Sequence, residues 1–328
     1  MDFPCFPIEA VPKLLLTSYG LTSLEVSALP GYDDSNFRIT SSQGTFMLKM
    51  SPDFRTSEER IPAQLDLMIY LKGTAVGAYI PGVRPLEDGR LWAEYPGGWV
   101  GRLLEYIEGE LVGLVQDQKP SMWFEVGRAI ARLEGCLETY PSPSRFPRSF
   151  ITMDNVLQTL RDHIEYVTNP HDLACVQSLM HQYEVHSVPL LSRLPRQTVH
   201  NDLHDFNLLW HAGQVAGVID FEDVELGYRL VDLATMAAMA FREGNNVVEA
   251  IRPLIEGFES ELRLTEEEKE CLFGFIAMRL CIFVVIANFE RVERPGNAYL
   301  WVDDDLNWAR VRLLSTVPLQ TLQELLSQ

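Results

Sequence analysis

An α+β fold in two lobes is what this 328-residue sequence predicts: a small antiparallel-sheet N-lobe followed by a larger, mainly helical C-lobe. Three observations carry that reading. The residues before about position 104 hold short alternating apolar runs separated by turn formers. From position 110 onward apolar residues recur at helical spacing. Between those helices, residues 198–220 form a short strand–loop–strand insert. The expected division is an N-lobe over 1–104, a hinge over 105–109 and a C-lobe over 110–328, a layout that places a ligand cleft between the lobes.

In the N-lobe, Phe37-Arg38-Ile39-Thr40 and Thr45-Phe46-Met47-Leu48-Lys49 flank turn formers at 41–44 and predict a hairpin. Ile61, Leu65, Met68, Ile69 and Leu71 approximate one face of a helix, with Pro62 in its first turn, where a missing N–H costs little. Strands are expected near 91–94 and 100–106. In the C-lobe, Phe124, Val126, Ile130, Leu133 and Leu137 mark a helix over 123–140, and a second is expected over 173–194. Thr265 followed by Glu268 is a capping-box signal for a helix reaching past Phe289. Another helix starts near Asp303.

Composition narrows the class. With 47% hydrophobic and 22% charged residues the chain is an ordinary globular protein, which excludes wholesale disorder. A net charge of −19 excludes a nucleic-acid partner, which needs a basic footprint. The same field attracts a cationic small molecule and repels a nucleotide, unless metal ions and a few local cations offset the phosphates. Cys5, Cys136, Cys175, Cys271 and Cys281 are an odd number without a CxxC pair, so buried reduced thiols are expected rather than a zinc site or disulfides. The first five residues lack the marks of a signal peptide. The apolar stretch 272–287 is interrupted by Arg279, falls short of a bilayer span and reads as a buried helix. A cytoplasmic protein with no membrane partner is expected.

The segment His200-Asn201-Asp202-Leu203-His204-Asp205-Phe206-Asn207 carries the chemistry, with Asp220 following in Val218-Ile219-Asp220-Phe221. Phosphoryl transfer needs few protein groups, because positioning and charge neutralisation do most of the work. One carboxylate orients the attacking hydroxyl and accepts its proton. A neutral oxygen donor and a second carboxylate hold Mg²⁺ against the phosphates. Asp202, Asn207 and Asp220 are those residue types, at the spacing of the protein-kinase catalytic loop. Residues 207–210 and 215–219 read as strands around a turn at Ala212-Gly213, which would return Asp220 to the side of Asn207. His200 and His204 are four apart but in a loop, so His200 reads as a loop anchor and His204 as a cleft residue rather than as zinc ligands.

With Val231-Asp232-Leu233-Ala234 downstream, these motifs resemble the aminoglycoside phosphotransferase/choline kinase superfamily. The Leu29–Phe37 segment and the hinge Leu103–Gly109 resemble its hydroxylysine kinase-like group. The resemblance runs from about residue 25 to the C-terminal helices and implies a bilobal protein-kinase-like fold. It implies ATP or GTP as phosphate donor. It places Ser35 and Asn36 in the nucleotide-covering loop, Lys49 on the α/β-phosphates and Glu105, Tyr106 and Ile107 at the nucleobase. The partner of Lys49 would come from the next helix, where Gln64 occupies the aligned position and Glu58 and Glu59 precede it. Asp232 is expected to cap or anchor a helix. Phe221-Glu222 departs from the Phe-Gly of switchable protein kinases and implies a constitutive small-molecule kinase.

The resemblance also implies a hydroxyl acceptor bearing an amine. His204, Asp205, Glu222, Asp223 and Asp304 are expected to meet it or recruit its charge, with Tyr228 and Trp301 as aromatic walls. The ranking is hydroxylysine or a related amino alcohol first, an antibiotic second and a choline- or homoserine-type acceptor third. A catalytically silent nucleotide-binding protein is the alternative from another class, and the joint presence of Lys49, Asp202, Asn207 and Asp220 argues against it.

Overall fold

The computed structural model describes the chain apart from residues 1–4, 23–24, 32–33, 53–59, 142–145, 147–150, 243, 245, 294, 296–303 and 319–328. The expected hairpin is present as β2 (Ser35–Ser41) and β3 (Gly44–Pro52), and β1 (Glu25–Leu29) adds to its outer edge. On the other side β3 pairs with β6 (Trp99–Glu105), which also carries β4 (Val83–Arg84) and β5 (Ala93–Tyr95). All these pairings are antiparallel, in the order β1-β2-β3-β6-β4.

The two-residue period of the strands sorts this sheet into two faces. Phe37, Ile39, Phe46, Leu48, Met50 and Leu103 pack with α1 (Val11–Tyr19), a helix not among those expected, with Pro12 in its first turn and a left-handed Gly20 at its end. The opposite face carries Asn36, Lys49 and Arg102. Asn36 is the register partner of Lys49 and Lys49 that of Arg102, so the three form one row across β2, β3 and β6. Helix α2 (Arg60–Lys72) lies on that second side, burying Ile61, Leu65, Met68 and Leu71 but also Ala63, Gln64 and Leu67. Ile69, assigned to the apolar face by periodicity, is 48% exposed. Its neighbours satisfy the buried stripe without it.

The C-lobe is built on α3 (Pro120–Glu138) crossing α7 (Val247–Glu259). A Cβ on Gly127 or on Gly257 would fall 1.9 Å from a carbonyl oxygen of the facing helix, so close backbone approach requires glycine at both positions. The helix expected over 173–194 is α5 (Pro170–His186), preceded by α4 (Val156–His163) and followed by a 3-10 segment, Val188–Arg193. Pro189 opens that segment and cannot continue an α-helical ladder. Strand β7 (Glu110–Leu111) pairs with β9 (Leu208–His211), which forms the expected hairpin with β10 (Gln214–Val218). Strand β8 (Arg196–Val199) pairs with β11 (Glu225–Tyr228).

Three further helices complete the lobe: α6 (Leu230–Met239), buried throughout, α8 (Glu266–Glu293) and α9 (Asp304–Ser315). The capping box is formed, with the Thr265 amide on Glu268 Oε2 at 2.9 Å and the Glu268 amide on Thr265 Oγ1 at 3.2 Å. At 28 residues α8 is long and apolar enough to cross a membrane, which corrects the length argument made from sequence. Since 72% of its apolar window is buried against the protein, it reads as a core helix. Of the cysteines, Cys175, Cys271 and Cys281 are buried, whereas Cys5 is exposed and Cys136 half-buried.

Candidate active site

The loop between β8 and β9 presents His200 to Asn207, and its shape is fixed from below. Asp232, fully buried in the first turn of α6, accepts the His200 amide on Oδ2 and the Asn201 amide on Oδ1, both at 2.8 Å. It therefore anchors the loop rather than capping its own helix, because the loop amides face away from water and need an acceptor. Asn201 takes φ +67° there, a left-handed conformation that Asn tolerates better than most residues. The His200 ring faces the carbonyl of Ile219 with Nε2 at 2.9 Å, tying the loop to the segment after β10.

The β9–β10 hairpin then closes the site. The Ile219 amide donates to the carbonyl of Asn207 at 3.0 Å, which sets Asp220 beside Asn207. Asp220 has φ +65°, so the chain turns sharply at the carboxylate. Asn207 Nδ2 donates to the Asp202 carbonyl at 2.8 Å and lies 3.3 Å from Asp202 Oδ2. This orients the amide so that its oxygen points away from Asp202. Asn207 Oδ1 and the Asp220 carboxylate are an all-oxygen donor pair, which fits a hard divalent cation such as Mg²⁺.

Asp202 meets a charge that sequence reasoning missed. Arg279, from the middle of α8, donates from Nη2 to Asp202 Oδ1 at 3.0 Å, and its guanidinium lies over the Phe283 ring. The available signal was an arginine inside an apolar helix, since a buried guanidinium requires a counter-charge. Burial alone would raise the Asp202 pKa, but His204 and Arg279 outweigh it and hold the carboxyl below its usual range. Asp202 is therefore ionised at neutral pH.

His204 sits between Asp202 Oδ2 at 3.5 Å and Asp205 Oδ1 at 3.7 Å. Burial lowers its pKa, but the two carboxylates prevail and push it up to about 10. The Phe206 amide, 3.1 Å from Nδ1, favours a lone pair on that nitrogen and works against the rise. The proton that both influences permit is the one on Nε2, facing Asp202. Asp223 lies in the field of Asp202 and Asp220, and burial together with those two charges pushes its carboxyl up to about 7.

On the N-lobe side, Lys49 Nζ reaches Asp220 Oδ1 at 2.8 Å, Glu222 Oε1 at 2.5 Å and Asp34 Oδ2 at 3.7 Å. Arg102 shares two of these partners, Glu222 at 2.5 Å and Asp34 at 3.2 Å. The structure thus places Glu222 on the lysine, not among acceptor-facing groups. Gln64 does not take up Lys49: among the described residues its buried Oε1 has no partner. Glu58 and Glu59 lie outside the described residues. Arg102 and Asp34 are further site residues that sequence reasoning passed over.

The remaining expected residues are spread more widely. Ser35 Oγ accepts the Phe6 amide at 2.9 Å, and Asn36 Nδ2 reaches the Pro30 carbonyl at 3.3 Å. The Glu105 and Tyr106 amides donate to Gly82 and Thr45 carbonyls, while the Ile107 side chain lies against the Gly217 backbone of β10. Tyr228 bonds Asp154 through its hydroxyl and stacks under Arg196, so no described contact brings it to Asp202. Asp304 pairs with Arg291 at 2.8 Å in the first turn of α9. Trp301 and Asp303 lie outside the described residues.

Residues 25–260 match the phosphotransferase enzyme family. The chain is 25% identical to a hydroxylysine kinase of Xenopus laevis, over 98% of this chain and 93% of that one. It is also 25% identical to a homoserine kinase of Gluconobacter oxydans, covering 85% and 86% of the two chains. Among solved structures, it shares the fold of an amicoumacin kinase in complex with AMP-PNP and Ca²⁺, with TM-score 0.73, 16% identity and 97% of each chain covered. A microcompartment-associated aminopropanol kinase matches with TM-score 0.71 at 18% identity, over 96% of this chain and 98% of that one.

Proposed function

Because the chain belongs to the phosphotransferase enzyme family and is a small-molecule kinase, we propose that it moves the γ-phosphate of ATP or GTP to a hydroxyl of an amine-bearing molecule. Hydroxylysine or a related amino alcohol is the acceptor we favour. The observation that carries the reading is the convergence of Asp202, Asn207 and Asp220, achieved by the Ile219–Asn207 backbone bond and the Asn207–Asp202 side-chain bond.

Asp202, ionised, orients the acceptor hydroxyl and takes its proton as the bond to phosphorus forms. A carboxylate held below its usual pKa is a weak base, which suffices for a loose transition state in which proton transfer comes late. Asn207 and Asp220 would hold Mg²⁺, which would supply positive charge to offset that of the phosphates. Lys49 binds the α/β-phosphates, with Ser35 and Asn36 beside it at the start of β2 rather than on the loop expected from sequence. A nucleobase would meet the hinge through the carbonyls of Glu105 and Tyr106 and through Ile107, since the first two amides are engaged within the sheet. The three segments 1–104, 105–109 and 110–328 then act as nucleotide lobe, hinge and acceptor lobe.

His204, Asp205 and Asp223 stand on the acceptor side. An ammonium placed near Asp223 would offset the charges of Asp202 and Asp220 and restore its ionisation, so a cationic acceptor complements the site. Similarity to hydroxylysine and homoserine kinases supports an amino-acid-sized acceptor. The test is a phosphorylation screen with Mg-ATP and Mg-GTP against hydroxylysine, amino alcohols, homoserine, choline and aminoglycosides. Transfer to hydroxylysine or an amino alcohol alone supports the assignment; transfer confined to aminoglycosides overturns it.

A further inference from the structure

Lys49 is 8% exposed, and a buried ammonium must be held by counter-charge if it is to present its hydrogens in a fixed direction. In kinases that task falls to a glutamate on the helix beside the lysine strand. Here, among the described residues, α2 sets the neutral Gln64 at that position, and its Oε1 has no partner. The charge comes instead from the turn after the metal-binding aspartate: one oxygen, Glu222 Oε1, lies 2.5 Å from Lys49 Nζ and 2.5 Å from Arg102 Nη2.

Arg102 is suited to hold that oxygen. It is 1% exposed, stands opposite Lys49 in the strand register, and also donates from Nη1 to Ser51 Oγ at 2.7 Å and from Nη2 to Asp34 Oδ2 at 3.2 Å. The guanidinium fork is thereby fixed on three sides, unlike a lysine that could swing. The Arg60 side chain adds a bond to the Glu222 carbonyl at 3.3 Å, tying α2 to the same turn.

We propose that Glu222 and Arg102 are a positioning pair for Lys49, with Glu222 replacing the helix-borne counter-ion and Arg102 fixing Glu222. The inference rests on the assignment of Lys49 to the nucleotide phosphates. It departs from the sequence expectation that Glu222 recruits the acceptor. Because Glu222 follows Asp220 by two residues, the pair makes the placement of the phosphate lysine depend on the turn that carries the metal carboxylate.

The test uses the full chain and reads dissociation constants for Mg-ATP, Mg-ADP and adenosine, so it needs no knowledge of the acceptor. Glu222→Gln should weaken Mg-ATP and Mg-ADP by about tenfold or more while adenosine changes less than about twofold, since only phosphate contacts are lost. Glu222→Asp, which keeps the charge, should recover part of the loss. Arg102→Met should have the same selectivity, and the double variant should be no worse than about twofold below either single one, as for residues acting as one unit. Should Arg102→Met fail to fold, Arg102→Lys, which keeps the charge but not the fork, takes its place in the cycle. Unchanged or tighter Mg-ATP binding in Glu222→Gln would overturn the proposal, as would losses that multiply in the double variant or extend equally to adenosine. Failure of the underlying assignment looks different: the wild-type protein itself would bind neither Mg-ATP nor Mg-GTP, and the cycle is run with guanine nucleotides and guanosine if only Mg-GTP binds.

Discussion

Arg279 Nη2 lies 3.0 Å from Asp202 Oδ1, joining the middle of the long C-lobe helix to the carboxylate proposed to orient the acceptor hydroxyl. Arg279 has 5% of its side chain exposed and Asp202 29%, so the pair sits at the floor of the cleft with the carboxylate on its open side. Through this contact the helix holds the direction of Asp202 and, second to His204, lowers its proton affinity.

Arg279→Met should therefore move the acid limb of the kcat/KM profile to higher pH. The sign follows from the depressed pKa of Asp202: the ionised form is lost as pH falls through that pKa, and removing a cation raises it. Arg279→Lys, which keeps the charge, should leave the limb closer to wild type. The measurement is a pH–rate profile of all three proteins with a common acceptor.

Asp202→Ala should lower kcat by about 10²–10⁴-fold, the range for loss of a general base. Mg-ATP affinity should change little, because the proposed partner of Asp202 is the acceptor hydroxyl rather than phosphate or metal. Asp220→Ala should instead weaken Mg-nucleotide binding by about tenfold or more, or about 1.4 kcal/mol. Calorimetric titration with Mg-ATP, run beside turnover assays, separates the two; near-normal turnover in Asp202→Ala would refute the mechanism.

Asp232→Ala should destabilise the fold by about 2–5 kcal/mol, since two buried loop amides lose their acceptor. Asp232→Asn should also destabilise, because one of its two terminal groups is a donor facing an N–H. Urea unfolding midpoints test this, and a loss under about 0.5 kcal/mol would mean that the loop finds other partners.

Glu134 makes stability fall with rising pH. Its carboxyl is fully buried and its pKa lies well above the ordinary 4.5, chiefly through burial and then through the neighbouring Asp232. A raised folded pKa means that the folded chain holds the proton more tightly than the unfolded one. The contribution is complete below the unfolded pKa and is lost as pH rises through the folded pKa. Glu134→Gln keeps an oxygen for the Gln197 amide that now reaches Glu134 Oε2 at 2.7 Å, and removes the titration. The stability advantage of the variant over wild type should grow between pH 5 and pH 8, measured by chemical denaturation.

Several of these relationships differ in how far they could be read from the chain. The β2–β3 hairpin, the β9–β10 hairpin and the Thr265–Glu268 box depend on residues a few positions apart, and their patterns are local. Ile69 was misplaced because a face with several apolar candidates leaves the helix free to bury a different subset. Helices α1 and α7 were not read at all: what holds them is the sheet face above α1 and the glycine-lined crossing of α7 with α3. Their end signals, Pro12 and Gly20 around α1 and the Asn246 cap of α7, are short and do not by themselves fix a helix that packing must hold.

Short-range spacing is enough to bring the oxygens of Asp202, Asn207 and Asp220 together, since they stand on one loop and one hairpin. Which charges act on them depends on packing over long separations. Lys49 meets Asp220 across 171 residues, Arg102 meets Glu222 across 120 and Arg279 meets Asp202 across 77. An ionic partner is selected by proximity in a water-poor interior, and proximity over such separations is set by how sheet and helices pack. Thus Glu222, expected on the acceptor side from its position in the chain, pairs with Lys49 and Arg102.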